Sequence, residues 1–508
     1  MKSALKISWP HPEIIFLSLF SIVIHLIFIN NLEYHRDELL YFSLGMHPAA
    51  GYASVPPLIG WIAWLMQNIF GYSLLAVRIF PALVSGAMII LCAELAKELG
   101  GSRYASFLSG IGLLISIFFM RTYSLFMPVF IEIFLWTLSL YVIIKYINTK
   151  NDKFLVVFGI IAGTSLLNKY LAGMLFIGLV LIIPFTEYRY VFRKKTFWAG
   201  LGAGFLIFLP NLAWQTVKGF PVFHHMNELY TTQLVHMDYP LFLTEQLLMP
   251  FAGTILTVAG LIYLCTGEKM KRYRFLAFIS VFIITGLMFL KGKSYYTLGI
   301  FPLLITAGAV SYDYWLKRTW IRVLFPVFLI ILTIPLIPMG LPVYNKDGLI
   351  KYFNTLDKKY GLDLGRRFED GSIHSLPQDY ADMLGWEELT ALADKAYKMI
   401  GDKEAAFIYC ENYGQAGAIT VIGKKYGLPG AVSFNESFQY WLPGQFDPDI
   451  KSMVYINDEP GDDVKVLFRK ITLVGRISNR DAREYGTGVF LCEEPAGSFN
   501  EFWKERVK

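Results

Sequence analysis

The chain has 508 residues, 55% of them hydrophobic and 17% charged, with a mean hydropathy of +0.45. A soluble globular chain carries about 25% charged residues, so a wholly water-soluble enzyme is excluded, and the 16% aromatic content excludes disorder. The first 339 residues hold 25 basic and 14 acidic side chains and the last 169 hold 21 and 26, so the surplus behind the net charge of +6 lies in the apolar part, which argues against a nucleic-acid partner.

Eleven apolar stretches are long enough to read as spans of a bilayer about 30 Å thick. They cover roughly 13–32, 74–96, 104–120, 128–147, 154–168, 170–186, 196–214, 246–266, 275–290, 297–315 and 323–339. The first is expected to remain as a span, because Glu33-Tyr-His-Arg36 and no small-residue cleavage site follows it. With the N-terminus inside, the inside loops carry 18 basic residues, beginning with Lys2 and Lys6, and the outside loops and span ends carry seven. That asymmetry sets the orientation. An odd number of spans then puts residues 340–508 outside, together with two long loops, about 33–73 and 215–245.

The first outer loop opens with Arg36, Asp37 and Glu38. Adjacent carboxylates repel, so the pair needs a reason. One could take a proton from an attacking hydroxyl while the other holds a cation or orients a substrate; the plain alternative is a solvated loop. Gly51-Tyr52 and the rigid Pro56-Pro57 turn follow, and Trp61 and Trp64 then suit a short helix lying in the membrane interface. Arg121 sits at the next outer turn, with Glu132 one helical turn inside the fourth span, so either the two pair or Glu132 binds substrate. Lys169 and Tyr170 separate two spans on the outer side, where a lysine could meet a lipid phosphate as a point charge or merely snorkel. Asn211, Trp214 and Gln215 end the seventh span and suit sugar contacts or an interfacial helix end. His224-His225 has no evident third metal ligand. Lys291, Lys293, Tyr295 and Tyr296 form a second basic turn on the same face. Arg36, Arg121, Lys169, Lys291 and Lys293 are thus expected to ring the acids of the first loop.

In the tail, Gln378–Ile400 reads as a helix, Ala405–Cys410 as a buried strand and Gly414–Tyr426 as a helix ended by Gly427; short strands are expected near 431–434, 452–456 and 488–492. That is a small α/β domain. Its Tyr413-Gly-Gln-Ala-Gly417 turn lacks the full glycine fingerprint of a phosphate loop and reads better as a strand-to-helix turn. Four cysteines are too few for a disulfide scaffold. Cys92 and Cys265 lie in apolar runs, and Cys410 and Cys492 could pair if their domain is extracytoplasmic.

Several of these segments together resemble the polytopic type-C glycosyltransferases of family 39 and their bacterial relatives, the protein-mannosyltransferase-like and aminoarabinose-transferase-like branch. They are Tyr34-His-Arg-Asp-Glu38, Gly51-Tyr52 with Pro56-Pro57-Leu58, Phe126-Met-Pro-Val129 with Glu132, Lys169-Tyr170, Pro210-Asn211 with Trp214-Gln215, Lys291-Gly-Lys293 with Tyr295-Tyr296, and Asn412–Ile419 with Tyr426-Gly-Leu-Pro429. The resemblance spans nearly the whole chain. It implies a polytopic α-helical membrane protein of about eleven helices, the type-C fold, with residues 1–339 catalytic and 340–508 an extracytoplasmic α/β accessory domain. It further implies inverting transfer of a sugar from a polyprenyl-phosphate carrier to a lipid, glycan or protein acceptor, at the outer face of a bacterial cytoplasmic membrane. Asp37 maps onto the base, with Glu38 beside it, and Lys169 and either Lys291 or Lys293 onto the donor phosphate. Glu132 stands where many bacterial relatives have Asp. No cofactor is implied with certainty, and a divalent cation near Asp37 and Glu38 is left open. The rival readings are a lipid transporter or flippase, which would show repeated broken spans with midplane charges, and an envelope sensor without catalysis.

Overall fold

The computed structural model describes residues 10–361, 365–368 and 371–507, without the side chain of His236; Lys2 and Lys6 lie outside the described residues. The chain forms two compact units. The first comprises Met1–Phe28, Val55–Leu58 and Arg78–Val343, and the second Ile29–Ser54, Ile59–Val77 and Tyr344–Lys508.

The first unit is helical throughout. Among the described residues, six helices are long and apolar enough to cross a membrane: Leu74–Glu98, Pro128–Thr149, Lys195–Val217, Glu268–Phe289, Ser294–Trp315 and Thr319–Gly340. Two bent pairs bring the number to eight at most, Ala172–Phe185 with Glu187–Arg193 at 112° and Tyr239–Leu248 with Phe251–Thr266 at 89°. By that measure the eleven expected spans are not reached, for local reasons. Residues 104–120 break between Arg103–Leu114 and Ile117–Thr122. Pro12–Ile27 and Lys153–Asn168 are apolar but run only 16 residues each, short of the roughly 20 a perpendicular crossing needs.

Lipid offers no hydrophobic drive between helices, so small residues and hydrogen bonds hold them. Gly159 and Gly163 of Lys153–Asn168 lie directly on the backbone of Gly200 and Gly204 of Lys195–Val217, where an added Cβ would overlap backbone atoms. Gly260 and Gly308 do the same for Thr254–Thr266 against Phe301–Trp315. The first helix is tied to Leu74–Glu98 by Ser21 to Ser85 (2.8 Å) and Ser18 to the Gly86 carbonyl (3.0 Å).

The second unit is built on a four-stranded sheet of β1 (Ala406–Cys410), β2 (Ser452–Asn457), β3 (Phe468–Arg476) and β4 (Gly488–Pro495), in the order β1-β2-β4-β3. β1 and β2 run parallel; β4 is antiparallel to both its neighbours, with an irregularity between Leu473 and Gly475. One side of the sheet closes over Phe407, Tyr409, Met453, Tyr455, Phe490, Phe499 and Trp503. Several expectations change. The segment 431–434 supplies only a bridge from Val432 to Tyr409, and β3 was not anticipated. The helix expected over Gln378–Ile400 divides into Gln378–Ala381 and Trp386–Met399, because Gly385 takes φ 90°, a conformation that glycine tolerates. Cys410 and Cys492 are both free and buried. β2 lies between their strands, a separation of about 9–10 Å that a disulfide cannot bridge.

The boundary expected after Met339 also needs amending. The tail joins the second unit at Tyr344, and that unit also takes in most of the first long loop. The cause is direct packing. Gly417 lets helix Tyr413–Val421 rest on Leu39 of helix Arg36–Leu44. The backbone N–H groups of Glu33 and Arg36 donate to the carbonyls of Met383 (3.1 Å) and Asp382 (2.9 Å).

Candidate active site

In the second unit the Arg36–Leu44 helix begins with a capping box. His35 Nδ1 accepts from the Asp37 N–H (3.1 Å), and Glu38 Oε2 accepts from the His35 N–H (2.8 Å). A capping box satisfies two helix-end donors that would otherwise lack partners. Glu38, expected beside Asp37 in the chemistry, is therefore buried and engaged with the helix end. The helix geometry resolves the repulsion argued from adjacency by turning one carboxylate inward and leaving the other partly exposed.

Asp37 Oδ1 accepts from the Tyr413 hydroxyl at 2.9 Å, and its Oδ2 has no partner among the described residues. The Arg36 guanidinium lies over the Tyr413 ring, 4.3 Å from its centroid. Burial, reinforced by Asp37, pushes the Tyr413 phenol well above its ordinary range, so it remains a donor. Nearby, Asp382 faces Arg483 (3.2 Å) and His35 (3.9 Å); burial raises its carboxyl despite these neighbours. The Glu33 carboxylate accepts from the N–H groups of Gly385 (3.2 Å) and Glu387 (2.9 Å), capping the Trp386 helix. Burial raises Glu33 despite those bonds.

Tyr52, expected to touch substrate, is instead a buried strut. Its hydroxyl bonds the Leu44 and His47 carbonyls (3.2 Å each), and its ring packs on Gly60. The Asn412 turn is a strand-to-helix turn with its own capping box, Asn412 and Gln415; its glycines serve packing, and no phosphate loop forms. The helix Leu58–Phe70 exposes Trp61, Trp64, Leu65 and Ile69, as an interfacial helix would.

In the first unit, Lys169 ends the helix Lys153–Asn168 in an extended conformation. Its Nζ meets Glu132 Oε2 at 3.0 Å and lies over the rings of Tyr296 (4.7 Å) and Tyr295 (5.5 Å). Glu132 thus pairs with Lys169 and not with Arg121, which stands in the short helix Ile117–Thr122. Glu132 Oε1 is buried without a partner among the described residues. Beside Lys169, the Tyr170 hydroxyl donates to Asn211 Oδ1 (2.8 Å) and accepts from Gln215 Nε2 (2.8 Å). Gln215 Oε1 and Asn168 Oδ1 are likewise buried without partners among the described residues. Trp214 is half-buried on the Asn211 helix. Lys291 and Lys293 lie on the turn that leads to Tyr295 and Tyr296, and Thr297 anchors it to Gln246 (2.6 Å). Lys169, Glu132, Tyr170, Asn211, Gln215, Tyr295 and Tyr296 are therefore brought into two adjoining networks, whereas Arg121 joins neither through Glu132.

No group of three His, Cys, Asp or Glu side chains able to hold a metal occurs among the described residues. Near Asp37 the donor set is a carboxylate, a phenol and a guanidinium, and Glu38 is engaged with backbone. The divalent cation left open at that pair finds no ready set of ligands there among the described residues. Nothing in the sequence singles out Tyr413, which lies in a turn, or Glu33, which lies in a loop.

The family model described as dolichyl-phosphate-mannose-protein mannosyltransferase matches residues 54–214. No curated sequence matches the chain. Among solved structures, ArnT from Cupriavidus metallidurans bound to undecaprenyl phosphate is similar at TM-score 0.61 and 14% identity, over 94% of this chain and 97% of that one. Its apo state gives 0.60 and 12% over the same shares. The arabinofuranosyltransferase AftD from Mycobacteria gives 0.52 and 12%, over 96% of this chain and 42% of that one. At such identities the likeness establishes the fold. The chain is a multi-pass membrane protein of the type-C glycosyltransferase fold, and its residues 54–214 carry the match to the mannosyltransferase family.

Proposed function

We propose that the chain moves a sugar from a polyprenyl-phosphate carrier to an acceptor hydroxyl or phosphate of an envelope lipid, glycan or protein. The transfer takes place at the outer face of a bacterial cytoplasmic membrane, with the N-terminus cytoplasmic and the second unit outside. The observation that carries this reading is Lys169, a cation at the end of an apolar helix, set on two tyrosine rings and a carboxylate. An ion pair at the end of an apolar helix is costly to place there, and such pairs commonly mark a functional site. Further support comes from the fold shared with a protein solved bound to undecaprenyl phosphate.

The chemistry is a single displacement that inverts the anomeric centre. Asp37 accepts the proton of the acceptor hydroxyl through Oδ2 as the acceptor oxygen bonds to the anomeric carbon. The bond from that carbon to the carrier phosphate breaks, and the phosphate keeps the electron pair. Lys169, with the basic 291–293 turn, stabilises the charge that develops on it. The amide and phenol groups of Asn211, Gln215 and Tyr170 offer hydrogen bonds to sugar hydroxyls. One displacement needs one carboxylate as base; the pair required by retaining glycosidases has no place in it.

Comparing a strain that lacks the chain with its parent tests this. The expected result is a lipid-linked sugar that accumulates in the deletion strain and an envelope glycan, lipid or protein that loses the mass of that sugar. Unchanged masses in both pools would overturn the reading. Loss of sugar from the outer face, with the lipid-linked form retained inside and no transfer by the purified chain, would favour a flippase.

A further inference from the structure

We propose that Tyr413 is the positioning residue of Asp37, so that the tail supplies a side chain to acceptor activation besides bracing the loop. The proposal rests on the reading of Asp37 as the base.

The geometry is over-determined from both sides. Asp37 stands in the first turn of its helix, its N–H bonded to His35 Nδ1. A carboxylate can still rotate about two side-chain bonds. Tyr413 holds one oxygen, Oδ1, at 2.9 Å, which fixes the plane of the group and leaves Oδ2 to receive the proton. Fixing a reacting group in its working orientation removes an entropic part of the barrier.

Tyr413 is itself fixed. Its N–H donates to Asn435 Oδ1 at 3.0 Å, and Arg36 covers its ring. Its helix is capped by Asn412 and Gln415, whose side-chain amides both bond Glu484, at 3.2 Å and 2.9 Å. Gly414 makes the approach feasible: a Cβ there would come within 2.8 Å of both Arg36 Cγ and Trp386. A phenol so constrained has little reason to reach a carboxylate in another part of the sequence for stability alone, because Arg36 and Asn435 already hold the residue. The charged and titratable groups facing Asp37 are Arg36, Tyr413 and Asp382, with His35 and Glu38 on its own helix start.

The test uses the full chain in detergent, with polyprenyl-phosphate sugar extracted from membranes of a strain lacking the chain. Initial rates of polyprenyl phosphate release are measured against donor concentration for wild type, Tyr413→Phe and Asp37→Asn. Tyr413→Phe keeps the ring under Arg36 and removes only the hydroxyl. Its loss frees Asp37 Oδ1, so kcat should fall about tenfold with the KM for donor unchanged. Tyr413→Leu, which also removes the stacking, should lower kcat at least as much when rates are normalised to the amount of chain that binds undecaprenyl phosphate. A kcat equal to wild type in Tyr413→Phe, with Asp37→Asn inactive, would overturn the positioning role and leave the base intact. Near-normal release by Asp37→Asn would overturn both.

Discussion

The two units handle their charges in opposite ways. In the second unit the carboxylates around Asp37 are spent on structure: Glu33 and Glu38 cap helices, Asp382 pairs with Arg483, and Glu484 ties down the Asn412 turn. Asp37 bonds Tyr413 through Oδ1 and keeps Oδ2 without a partner among the described residues. The membrane part is poor in charge, and where Lys169 and Glu132 meet, one carboxylate oxygen stays buried and unpartnered. A buried polar atom without a partner is costly, and a chain retains it where a ligand supplies the partner. The number of charges in a region therefore marks a site poorly, and the unspent atom marks it well.

Four changes would break or sharpen this contrast, beginning with the largest effect. Lys169→Met removes the cation and leaves Glu132 buried without it. Release of polyprenyl phosphate should fall by about 10²-fold, and undecaprenyl phosphate should bind more weakly to the detergent-solubilised chain. Retained binding would shift the phosphate role to Lys291 or Lys293. Gly163→Leu forces a side chain into the backbone of Gly204 and should cost roughly 1–3 kcal/mol or more, seen as a lower thermal midpoint.

Glu33→Ala should cost about 0.5–2 kcal/mol through the lost cap, read as weaker hydrogen-exchange protection of the Trp386 helix. Its pH dependence has a definite sign. Because burial raises Glu33 above its ordinary 4.5, the wild-type contribution is full below that value and is lost as pH rises through the raised one. The deficit of Glu33→Ala is therefore greatest in acid and shrinks toward neutrality. Glu38→Gln is the mildest, since an amide oxygen can still accept from His35. Activity should stay within a few-fold of wild type, and a loss comparable to that of Asp37→Asn would return Glu38 to the chemistry.

Much of this architecture was legible in the sequence, and the limits have local causes. Apolar runs marked the helices, because burial in lipid leaves a long uniform signature. Two breaks were hidden, since Ser116 and the Met249-Pro250 turn interrupt a helix without interrupting its hydrophobicity. β3 was missed because Phe468-Arg-Lys470 gives an edge strand a charged face. Asp37 and Lys169 were legible as charges out of place. Their partners were not: Tyr413 is 376 residues from Asp37 and Glu132 is 37 from Lys169, distances over which no periodicity speaks. Histidine is not a common helix cap, so the capping role of Glu38 gave no signal either.

The central claim is that Asp37 is the unspent carboxylate doing chemistry. Its most direct test is polyprenyl phosphate release by the purified chain carrying Asp37→Asn, assayed on the extracted lipid-linked sugar. The account predicts a fall on the order of 10²- to 10⁴-fold with undecaprenyl phosphate binding retained; near-normal release would contradict it.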